Sequence, residues 1–163
     1  MNEDNAVNVI RGQVDLHTAL RSVASMAAGA PVVAERSVLY PYRAFNVRCS
    51  VATLSGPRSV SLRCLVDGIN DVGATADAYV TDRLPANGEL RLDAGVAPRD
   101  AERTAWRTIT LRLGRTFRTI APFGVQLEPA GLVYKRFWIL RAGEARIMTD
   151  SVTGHVHPLN AAA

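Results

Sequence analysis

The chain has 163 residues, 48% of them hydrophobic and 21% charged, enough apolar content for a packed core and too much for general disorder. Two cysteines are too few for a disulfide scaffold, and no apolar run approaches the ~18 residues of a membrane span. The net charge of +4 is uneven: residues 97–119 hold six arginines against two acids, so the remainder of the chain is neutral. The opening MNEDNAVNVI is polar and acidic, unlike a signal peptide, and a cytoplasmic location is the expectation.

A short strand is expected at Val7–Ile10. Asp15 is placed to cap a helix over 16–28, where Leu16, Leu20, Val23 and Ala27 recur at helical spacing and Gly29 ends the run. Val32–Arg36 is a short strand candidate and Tyr40–Val51 a stronger one, with Pro41 holding its start to an edge or bulge. Phe45, Val47, Cys49 and Val51 alternate with smaller or polar residues, as do Val60, Leu62, Cys64 and Val66 after the Ser55-Gly56-Pro57 turn. A hairpin centred on Gly56-Pro57 would set Cys49 opposite Cys64, Val47 opposite Val66 and Val51 opposite Leu62. Both thiols then read as buried, reduced core residues without a catalytic role. Asp67-Gly-Ile-Asn-Asp71 reads as an Asx turn, since it lacks the spacing and terminal glutamate of a calcium loop.

Residues 81–97 read as a connector, with turn chemistry at Pro85 and Asn87-Gly88. A second helix is predicted over 98–119, opened by Pro98, with an apolar stripe of Ala101, Ala105, Ile109, Leu113, Phe117 and Ile120 widened by Trp106. Strands are expected at Gly124–Glu128, Leu132–Arg141, Ala145–Thr149 and His155–Leu159, with Pro129-Ala130-Gly131 as a turn.

This order of helix, strand and hairpin occurs twice. The expected fold is therefore α+β: two halves of helix plus antiparallel sheet, 1–80 and 98–163, joined by 81–97 and related by a pseudo-twofold. The stretch from Trp138 through Asp150-Ser-Val-Thr-Gly154-His-Val resembles the end of PepSY-like and cystatin-like domains, where a strand leads to an aspartate, a Thr-Gly turn and a short last strand. In the first copy Gly68 and Asn70-Asp71 stand where that turn would be. The resemblance implies a binding, inhibitory or accessory module.

No nucleotide-binding glycine motif, nucleophile elbow or HExxH is present, and His155 and His157 lack further ligands nearby in sequence, so no catalytic residue, cofactor or metal site is expected. The expected function is a non-catalytic accessory or scaffold subunit that binds another protein or its own copy. Its interface candidates are Tyr40, Tyr42, Arg103, Arg107, Arg118, Tyr134 and Trp138. Two alternatives come from other classes. One is a small enzyme or ligand carrier with a cleft between the halves, where Asp67, Tyr40 and Tyr134 would converge. The other is nucleic-acid binding through Arg103, Arg107, Arg112, Arg115 and Arg118.

Overall fold

The computed structural model describes residues 6–86, 88–117 and 124–159. It is an α+β fold with two helices and a large mixed sheet. In chain order the elements are β1 (Ala6–Ile10), α1 (Leu16–Met26), β2 (Val32–Thr53), β3 (Gly56–Asp67), β4 (Gly73–Ala76) and β5 (Thr81–Pro85). Then come β6 (Leu90–Arg91), α2 (Pro98–Thr116), β7 (Gly124–Ala142), β8 (Ala145–Asp150) and β9 (Val156–Leu159). No helix among the described residues is long and apolar enough to cross a membrane.

The chain forms two compact units, and neither is continuous in sequence. An internal unit draws on 41–79 and 93–133, and a terminal unit on 1–40, 80–92 and 134–163.

In the internal unit, β2 pairs antiparallel with β3, and β3 with β4. The period-two pattern puts Phe45, Val47, Cys49 and Val51 of β2 on one face with Cys64 and Val66 of β3. Ala101, Ala105, Ile109 and Leu113 of α2, at helical spacing, close that core. Pro98 opens α2 at its first turn, and Asp100 faces the positive helix end.

The hairpin register differs from the expected one. Cys64 pairs with Phe45 and Cys49 with Val60, because the turn is the two-residue Leu54-Ser55 rather than Gly56-Pro57. Gly56 takes φ +110°, a value that a side chain would resist, and so closes the turn. The displacement is four residues, an even number. Both thiols therefore stay on the core face, buried and free, although they are not opposite each other. Trp106 is also displaced from expectation: it is 53% exposed and does not widen the stripe.

In the terminal unit, β7 pairs antiparallel with β8, and β8 with β9. Ala19 and Val23 of α1 pack against Leu140, with Trp138, Ala142, Ile147 and Val156 around them. Asp15 caps α1 by accepting from the Thr18 amide at 2.7 Å. Beyond the helix, Ala28 and Gly29 both have positive φ, which ends it.

Two expectations about the sheet are corrected here. The sheet is mixed rather than antiparallel, because β1 lies parallel to β7 at Val9 and Tyr134, and β6 parallel to β2 at Val38–Leu39. The strand candidates also fuse. β2 runs unbroken through Pro41, and β7 runs through the Pro129–Gly131 segment read as a turn. Pro41 is tolerated because β2 changes neighbours around it, pairing with β6 before and β3 after.

The turns that follow β3 and β8 share a hydrogen-bond pattern. Asp67 Oδ1 accepts from the amides of Ile69 and Asn70 at 2.8 and 2.9 Å, and Asp150 Oδ1 from those of Val152 and Thr153 at 2.8 and 3.2 Å. The Asp67 amide donates to Val72 and its carbonyl accepts from Asp71; Asp150 does the same with His155 and Gly154. Even the next link matches. Arg43 Nε donates to the Val96 carbonyl just ahead of α2, and Trp138 Nε1 to the Val14 carbonyl just ahead of α1. Each helix packs on a hairpin distant from it in sequence: α1 on β7–β8, α2 on β2–β3.

Candidate functional site

The most distinctive surface lies in the internal unit, between α2 and β4. It begins with the Asx turn. After Asp67 the chain bends through Asn70 to Asp71, which adopts φ +55°, and then enters β4. Gly73 brings that strand onto the helix. A Cβ at this position would lie 2.2 Å from Thr108 Oγ1 and 3.1 Å from Thr108 Cβ. Thr108 is itself held by its hydroxyl, which donates to the Thr104 carbonyl at 2.8 Å. Only glycine permits this approach.

The result is an open groove of about 670 Å³. One wall is Asp71–Thr75, and the other is the stripe Arg107, Thr108, Leu111, Arg112, Arg115 and Thr116 of α2. Val72 is 63% and Leu111 57% exposed, so the groove carries apolar surface beside its cations. Among the described residues, Arg107, Arg112 and Arg115 make no ion pair. Strand β4 pairs with β3 and ends the strand order, so among the described residues it is an edge strand, and its first three residues line the groove. Asp71 Oδ1 is buried and has no hydrogen-bond donor.

Asp71 breaks a local rule that its counterpart obeys. Gly154 occupies the matching place after Asp150, with φ +72°. A left-handed aspartate with an orphaned oxygen costs stability that a glycine would not. Replacement Asp71→Gly is expected to raise unfolding stability by about 0.5–1 kcal/mol, read as a higher urea midpoint at unchanged slope. A lower midpoint would mean that the carboxylate has a stabilising role in the free protein.

The other interface candidates are dispersed. Arg107 lies in the groove. Arg103 is exposed one turn earlier and pairs with Asp100 at 3.3 Å. Arg118 lies outside the described residues. Tyr40, half-buried, meets Phe137 edge to face at 6.1 Å. Tyr42 is half-buried in β2, opposite Asp67. Tyr134 is buried at the contact of β7 with β1. Trp138 is spent on the Val14 bond, with the Arg136 guanidinium 5.4 Å from its ring centre.

Lys135 forms an ion pair with Asp150, which is 6% exposed. Burial presses the Asp150 pKa upward, but Lys135 and the amides of the turn outweigh it, and the carboxyl titrates below its usual range. Asp67 is likewise occupied, with Oδ2 accepting from Asn70 Nδ2 at 3.1 Å. Both carboxylates build turns. Burial raises the pKa of Cys64 to about 11, so the thiol is a poor nucleophile. His155 and His157 have ring centres 6.3 Å apart, and among the described residues no group of three or more possible ligands is placed to hold a metal ion.

The sequence singles out the arginine stripe and leaves Ala74–Val80 beside it as either a short helix or a returning edge; the structure makes Gly73–Ala76 a strand. Leu111, Arg112 and Arg115 share a face with Thr108 by helical spacing, a signal that was available. Comparisons with protein-family profiles, curated proteins and solved structures return no match.

Proposed function

We propose that this protein is a non-catalytic accessory or scaffold subunit that binds another protein chain. The observation that carries the reading is the α2–β4 groove, where unpaired cations, exposed apolar side chains and an open strand edge meet. A second copy of the chain is a poorer occupant, since apposing two such grooves would bring six arginines together. The two hydrogen-bond networks around Asp67 and Asp150 support a duplicated module whose copies have exchanged helices, in keeping with the pseudo-twofold pattern of the sequence. The resemblance of Trp138–Val156 to PepSY-like and cystatin-like domains fits an accessory role, and two free buried thiols fit a reducing cytoplasm.

A ligand carrier is the second reading. It draws on a concavity of about 350 Å³ in the terminal unit, edged by Arg11, Asp82, Trp138 and Ser151, whose buried Oγ has no partner.

Purification of the tagged full-length chain from extract of its own host tests the first reading. One protein is expected to co-purify in constant ratio, and Leu111→Asp should remove it while leaving the circular dichroism unchanged. A monomer that recovers no partner and turns over a small molecule would overturn the reading.

A further inference from the structure

We propose that the groove receives an acidic extended segment of a partner, which adds as a strand to β4 and sets its carboxylates against Arg107, Arg112 and Arg115. This rests on the protein-binding reading above and specifies the chemistry of the partner.

The backbone argument comes first. β4 pairs with β3 through Gly73, Ala74, Thr75 and Ala76, in register with Val66, Leu65, Cys64 and Arg63. Alternate residues of an edge strand direct their N–H and C=O away from the existing neighbour. Ala74 and Asp77 are exposed, and no large side chain of β4 blocks the approach. An incoming strand would satisfy those groups as strand addition does elsewhere.

The side-chain argument fixes the charge. Arg107 and Arg115 are eight residues apart on α2, or about 12 Å along the axis. Residues i, i+2 and i+4 of a strand share one face and span about 13 Å. Three acidic side chains at alternate positions therefore match three arginines that lack carboxylate partners among the described residues. The intervening residues face the other side of the sheet. Leu111 and Val72 supply apolar contact between the charged positions.

Among the described residues no aromatic side chain lines the groove for base stacking.

The test is fluorescence anisotropy of the full-length chain at low salt with a labelled nine-residue peptide alternating Glu and Val. Three comparators accompany it: the same peptide with Gln for Glu, the same peptide N-methylated at alternate amides, and an oligothymidylate of equal charge. Saturable binding of the Glu/Val peptide is expected. It should weaken about tenfold or more with Gln, with N-methylation, and with the double variant Arg107→Glu, Arg115→Glu. Both substitutions are on exposed helix positions, and an unchanged thermal midpoint would establish that the variant folds.

No binding of the Glu/Val peptide, indifference to N-methylation, or tighter binding of the oligothymidylate overturns the proposal. If the peptide fails while the host partner is still lost with Leu111→Asp, the strand chemistry is wrong and protein binding stands. If neither the peptide nor a host partner binds, both readings fall.

Discussion

Replacing Asp150 with alanine is expected to destabilise the terminal unit by about 3 kcal/mol, at the lower end of the range for breaking a buried ion pair. Asp150 is 6% exposed, and the Lys135 side chain is 20% exposed. Removing the carboxylate strands a largely desolvated ammonium beside the Phe137 ring, whose centre is 5.5 Å away. It also removes the acceptor for the amides of Val152 and Thr153, so the turn into β9 loses its frame. Asp150→Asn keeps an oxygen for those amides and loses only the charge, so a smaller cost of about 1–2 kcal/mol is expected. Urea unfolding followed by Trp138 fluorescence, in a Trp106→Phe background, reads the effect where it occurs.

The same pair predicts a pH dependence. The Asp150 carboxyl titrates below its usual range in the folded chain. A depressed carboxyl contributes stability that is fully present above the unfolded pKa of about 3.9 and disappears as pH falls through the folded value. Wild-type stability should therefore decline below about pH 4, and the decline should be shallower in Asp150→Asn. A cost under ~1 kcal/mol for Asp150→Ala at neutral pH would place the pair among surface ion pairs.

The second large effect is expected at Ile109. This residue is fully buried between α2 and the hairpin of β2 and β3. Ile109→Ala removes three carbons from a site hemmed in by Val47, Cys64 and Val66 and is expected to cost about 2–5 kcal/mol. Trp106→Ala removes a much larger side chain three positions earlier, yet one that is 53% exposed, and should cost under ~1 kcal/mol. The reverse ranking would mean that Trp106 belongs to the core, as its place beside the apolar stripe had implied.

That pair of residues shows what the sequence could and could not convey. Helical spacing identifies Ala101, Ala105, Ile109 and Leu113 as one line, and the core uses all four. It does not fix how far a bulky neighbour such as Trp106 rotates from that line. Alternation likewise assigns Cys49 and Cys64 to the buried face, but a slip of four residues leaves the faces unchanged, so pattern alone could not choose the register. Pro41 and Pro129–Gly131 read as interruptions because local rules penalise them inside strands. The long strands β2 and β7 tolerate them by drawing different neighbours on either side. Which hairpin each helix covers is a tertiary choice with no local signature. At the groove, the arginines were legible because charge is a property of the sequence. The open edge of β4 and the left-handed Asp71 depend on where the chain goes next.

The discontinuity of the two units also sets a timetable for synthesis. Every segment of the internal unit lies within 41–133, whereas α1 must wait for β7 and β8. Val14 and Trp138 are 124 residues apart. At roughly 5–20 residues per second, the ribosome takes on the order of 10 s to deliver the partner strand. An 11-residue helix is too short to persist alone in water, so Ala19, Val23 and their neighbours spend that interval as uncovered apolar chain. The α1 stretch is thus a segment that gains from chaperone cover until β7 and β8 emerge.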